Sequence, residues 1–88
     1  MIEREVTIVN QEGLHARPAA RIVRLSSTFD SEIEISKDGF GVNGKSIMGV
    51  MMLAAECGSS ITIKADGPDA ERAVEALAQL VADGFGES

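Results

Sequence analysis

Tryptophan and tyrosine are absent from this sequence, and phenylalanine occurs only as Phe29, Phe40 and Phe85. A core made from such a chain is expected to be aliphatic with methionine filling the gaps, and a deep pocket walled by aromatics is not expected. One cysteine, Cys57, and one histidine, His15, rule out an internal disulfide and a zinc centre of the usual four ligands. Cys57 is therefore expected to be a packed thiol, and neither a metal nor a cofactor is expected. Positive charge is scarce as well: eight Lys and Arg against fourteen Asp and Glu leave a formal charge of −6. That balance disfavours nucleic acid and anionic membrane and points to proteins as partners. No apolar run reaches signal-peptide or membrane-spanning length, so cytoplasmic residence is the expectation. Neither a repeat nor a linker is visible in the 88 residues, which suffice for one core and one domain over residues 1–88.

What is present is patterned. Residues 5–9 alternate, with Val6 and Ile8 on one side, as a half-buried strand does. Over 16–29 the period becomes helical: Ala19, Ile22, Val23, Ser26 and Phe29 share one side and Arg17, Arg21 and Arg24 the other. Residues 32–35 alternate again, Asp38-Gly39 is a tight-hairpin pair, and 40–42 is a short returning strand. Ser46 is a good N-cap for a short helix to about Leu53, with Gly49 limiting it to one or two turns. A fourth strand follows at 61–64. Gly67-Pro68 then introduces a long helix whose stripe is Ala70, Ala73, Val74, Leu77, Leu80 and Val81, stopped at Gly84. The order β-α-β-β-α-β-α, with every strand apolar on one side only, predicts an α+β open-faced sandwich: one sheet face wet, the other covered by helices.

The chemistry is concentrated where the first strand gives way to the first helix, at Gly13-Leu14-His15-Ala16-Arg17-Pro18. His15 falls at or beside the N-cap, where Ser, Thr, Asp or Asn would serve the free amides better, and a local rule broken at a helix start is a sign of function. Pro18 has no donor, so the amides of Ala16 and Arg17 and the positive end of the helix dipole are left facing the same space. A phosphoryl group on His15 would meet those amides and a guanidinium able to grip it bidentately. Imidazole is both a nucleophile and a good leaving group, so such an adduct can be passed on. The same helix end would also suit a reversible sensor of an anionic ligand, which forms no adduct.

Two further segments compete for attention. Ser46 is first a cap; a phosphate there would be tolerated by the dipole yet would set about two negative charges beside the expected docking surface. That surface comprises Ala20, Arg21 and Arg24 with Ile47, Met48 and Met51, methionine being suited to unlike partners, although at least one methionine of this helix is expected to fill the core. Residues 39–46 match G-x-x-x-x-G-K-S, the phosphate-binding loop of nucleotide hydrolases. The context is wrong for one, since two turn signals interrupt the stretch and a short, glycine-weakened helix follows it.

The segment Gly13-Leu14-His15-Ala16-Arg17-Pro18-Ala19 resembles the active-site signature of the HPr family, the histidine phosphocarriers of the bacterial phosphoenolpyruvate-dependent phosphotransferase system. Lys45-Ser46-Ile47-Met48-Gly49-Val50-Met51 is similar to the family's regulatory-serine segment. The resemblance implies a four-stranded antiparallel sheet of order 1-4-2-3 under two longer helices and one short one. It implies that His15 accepts phosphate on Nδ1 from enzyme I and donates it to enzyme IIA domains, with Arg17 steadying the group, in a sugar-uptake or nitrogen-regulatory branch. It further implies HPr kinase/phosphorylase as a partner acting on Ser46 in some lineages. A shuttle of this kind is expected to be a monomer. Several relatives carry a small polar residue where this chain has Glu12, a carboxylate that would oppose the charge of a phosphoryl group on His15 unless it points away.

Overall fold

The computed structural model describes residues 1–87. Its elements run β1 (Ile2–Thr7), α1 (Ala16–Ser26), β2 (Glu32–Lys37), β3 (Phe40–Asn43), α2 (Ile47–Met52), β4 (Ser60–Asp66) and α3 (Ala70–Ala82), followed by a 3-10 turn at Gly84–Gly86. The four strands form one antiparallel sheet in the order β1-β4-β2-β3.

Alternation sets the register. Ile33 and Ile35 of β2 stand opposite Ala65 and Ile63 of β4, and Val6 of β1 stands opposite Ile61. These side chains line the face that the helices cover. On the other face Glu34 lies opposite Lys64, and Thr62 lies between Glu5 and Ser36. β2 and β3 are joined by Asp38 (φ 52°) and Gly39 (φ 84°), the paired positive φ of a two-residue hairpin. α3 packs over β1 and β4, α1 lies against α3 and α2, and α2 reaches β3.

Boundaries depart most from expectation in β1 and α1. β1 begins at Ile2, because residues 2–7 pair continuously with β4, although residues 2–5 are exposed and carry little apolar alternation. α1 ends at Ser26; the amides of Thr28 and Phe29 turn to the carbonyls of Leu25 and Ser26, so Phe29 is half-buried in a tightening turn instead of a helix.

The core differs in kind as well. It is aliphatic, as expected, but contains no methionine: Met48, Met51 and Met52 are all exposed, and α2 contributes only Val50. A helix of six residues cannot offer more than one or two inward positions; Val50 takes one, and Leu53, the C-cap just past the helix, is buried beside it. The space is filled instead by Phe85, the largest fully buried side chain. Cys57 is exposed rather than packed, its thiol 3.7 Å from the Val9 carbonyl, because it sits in the turn between α2 and β4.

Candidate functional site

The loop from β1 to α1 is built so that His15 ends it facing outward. Gly13 has φ +69°, and a Cβ there would run into the carbonyl oxygen of Ala55. That close approach lets the Leu14 amide donate to the same carbonyl at 2.9 Å while its side chain enters the core. Asn10, itself buried, donates from Nδ2 to the Gly13 carbonyl at 2.8 Å and holds the loop from inside. The next residue, His15, is extended (φ −79°, ψ −173°) and is the N-cap of α1.

Its side chain does not cap the helix, whereas its carbonyl accepts the first helical bond, from Ala19 at 3.0 Å. Among the described residues nothing accepts a hydrogen bond from the amides of Ala16 and Arg17, and Pro18 supplies no amide. The imidazole is about one-third exposed, so it is neither free in solvent nor tucked inside. Its Nε2 lies 3.4 Å and 3.3 Å from the two carboxylate oxygens of Glu87. Glu12, Ala16, Arg17, Arg21 and Glu87 share an open depression with it.

The sequence-predicted residues therefore divide. His15, Ala16 and Arg17 line one depression. Glu12 is exposed and borders the same depression. Arg21 is half-buried, and its Nη1 donates to the carbonyl of Phe85 and ties down the segment after α3. Arg24 remains exposed and Ala20 half-buried on α1. Ile47, Met48 and Met51 lie exposed on the neighbouring α2, with Met52 beside them. Ser46 caps that helix, its Oγ accepting from the Gly49 amide at 3.2 Å. Residues 39–46 are a hairpin turn, the strand β3 and a second turn, so their backbone amides form no phosphate cradle.

Two site residues were not foreseen. Asn10 reads in sequence as the end of a strand, and Glu87 as one acid among many. Both reach the site through long-range contacts, Asn10 Nδ2 standing 3.3 Å from Glu87 Oε1 across 77 residues of chain.

A family model described as the PTS HPr component phosphorylation site matches residues 2–83. Phosphocarrier protein HPr of Cupriavidus necator is 49% identical over 87 residues, covering 99% of this chain and 98% of its own. Among solved structures, HPr from Thermoanaerobacter tengcongensis superposes with a TM-score of 0.96 at 45% identity, covering 100% of this chain and 99% of that one. An HPr dimer from the same organism matches with a TM-score of 0.79 at 46% identity over 96% of this chain and 99% of that one. Sequence likeness over the whole fold and the shared strand order agree, and the chain belongs to the HPr family of phosphocarriers of the phosphotransferase system.

Proposed function

We propose that His15 carries the phosphoryl group, receiving it from phospho-enzyme I and delivering it to enzyme IIA domains. The observation that carries the reading is the pairing of an accessible imidazole with two unbonded amides at the start of α1. In acceptance, the Nδ1 lone pair attacks phosphorus and the donor's N–P bond breaks, its electron pair staying on the donor imidazole. The amides of Ala16 and Arg17 and the Arg17 guanidinium then meet the phosphoryl oxygens. In donation the nucleophile of the IIA domain attacks phosphorus, and the His15 Nδ1–P bond breaks with its electron pair returning to Nδ1.

Arg24 and the exposed Ile47, Met48 and Met51 supply a docking surface beside this centre, apolar in its middle and basic at its edge. Phosphorylation of Ser46 by HPr kinase/phosphorylase would add about two negative charges to that surface and oppose an acidic partner. One exposed centre is sufficient for shuttling, so the working form is a monomer, and the acceptor IIA assigns the sugar or nitrogen branch.

Incubation with phosphoenolpyruvate and enzyme I should give an acid-labile, base-stable adduct. His15→Ala should fold as the parent does and take no label, and Arg17→Gly should take it more slowly. Undiminished labelling of His15→Ala would refute the assignment. Reversible phosphate binding without any adduct would instead favour an anion sensor at the same helix end.

A further inference from the structure

The segment after α3 is held against the site by three independent anchors. The Phe85 ring is fully buried in the core, the Arg21 guanidinium takes the Phe85 carbonyl, and Asn10 Nδ2 reaches Glu87 Oε1 at 3.3 Å. Together they bring the Glu87 carboxylate to one ring nitrogen of His15, with Nε2 almost equidistant from both oxygens at 3.3 and 3.4 Å. The Glu87 side chain is only 22% exposed, so the contact is partly shielded from water.

We propose that Glu87 is a positioning residue that accepts the Nε2 proton of His15 and thereby leaves Nδ1 as the nucleophilic nitrogen. The inference rests on His15 being the phosphoryl acceptor. A carboxylate can only accept, so the contact selects the tautomer with hydrogen on Nε2 and the lone pair on Nδ1. When Nδ1 bonds to phosphorus and the donor's N–P bond releases its electron pair to the donor, the ring of His15 becomes cationic and keeps its Nε2 proton. Glu87 then faces that charge directly, and the long contact is poised to tighten in the transition state. The carboxylate lies at the nitrogen that does not take phosphorus, so attraction to the ring outweighs repulsion by the phosphoryl oxygens, which the α1 amides and Arg17 engage.

The test compares the full chain with Glu87→Ala and Glu87→Gln in phosphoryl transfer from phospho-enzyme I, alongside nitrogen-15 spectra of the unphosphorylated imidazole. Glu87→Ala should lower kcat about tenfold, equivalent to about 1.4 kcal/mol of transition-state stabilisation, with KM for enzyme I and Tm unchanged. Its Nε2 proton should exchange with water faster than the parent's. Glu87→Gln keeps an acceptor oxygen but no charge, and should restore the parent tautomer and part of the rate. Parent-like kcat in Glu87→Ala, a loss confined to KM, or an unaltered Nε2 proton would each overturn the proposal. An unlabelled parent would instead bring down the carrier reading on which it depends.

Discussion

At the scale of single residues, the centre holds an unresolved opposition between charges. The bare amides of Ala16 and Arg17 favour an added dianion, whereas Glu12 borders the same depression and opposes it. Arg21 lines the same depression and keeps its charge while donating to the neutral Phe85 carbonyl, so it offsets part of the Glu12 field. Glu12 is exposed, so water and salt reduce its effect to at most about 1 kcal/mol, roughly a factor of five in rate or lifetime. Glu12→Asn should therefore accept phosphate up to about fivefold faster and lose it more slowly, the difference shrinking as ionic strength rises. Transfer and hydrolysis assays at low and high salt decide the matter, and identical kinetics at low salt would remove Glu12 from any account of the site.

At the scale of elements, one helix start serves a purpose that local rules do not show. Asp69 is the N-cap of α3, yet its carboxylate makes no capping bond. It reaches the corner between α1 and β2, accepting from the Ser31 hydroxyl at 2.5 Å and from the amides of Asp30 and Ser31 at 2.9 Å. Gly67 allows this junction, since at φ +152° its backbone presses on Ser31 where a Cβ would lie 2.6 Å from the hydroxyl oxygen. The Ser31 hydroxyl bond foremost, and the Asp30 amide next, hold the Asp69 carboxyl at about 2, below its ordinary 3.8. Because the folded value is the lower one, the stabilisation is present above pH 3.8 and disappears as pH falls through 2. Asp69→Asn, which does not titrate, should melt below the parent at pH 5 to 7, and the gap should close as both are acidified through that window. A gap independent of pH would show that the charge of Asp69 contributes nothing.

The same junction shows what local sequence conveys and what it does not. Strand alternation at Ile33, Ile35, Ile61 and Ile63, the hairpin pair Asp38-Gly39 and the Ser46 cap are all local signals, and each is found where its pattern predicts. The His15 centre was legible for the same reason: a helix start, its amides and its neighbouring guanidinium lie within a few residues of one another. Asp69 holding Ser31, Asn10 holding Gly13 and Glu87 meeting His15 depend on how distant elements pack, and no period of the chain records them. Met48 and Met51 of α2 are exposed, as the expected docking surface requires, and only the methionine expected to fill the core is missing, for a related reason. Their apolar character said that they would be covered, but not whether by this chain's own core or by another protein.

For the whole molecule, the scarcity of aromatics makes the one buried ring decisive. Phe85 sits at φ 60°, a left-handed conformation that costs a residue with a Cβ about 1–2 kcal/mol. It is tolerated because truncating a buried Phe to Ala typically costs about 3–5 kcal/mol, so packing outweighs the backbone penalty. Against a total of about 4–13 kcal/mol expected for 88 residues, that is a large share. Phe85→Ala should lower Tm by at least about 12 °C, whereas Phe85→Leu, which keeps much of the volume, should lose far less. The ring also anchors the backbone that offers its carbonyl to Arg21 and carries Glu87 two residues further on. The Leu variant should therefore keep the His15–Glu87 contact and accept phosphate at the parent rate, while the Ala variant, assayed well below its own Tm, should be slower. Equal melting temperatures for Phe85→Ala and the parent would mean that this ring does not close the core, and the segment it anchors would need another support.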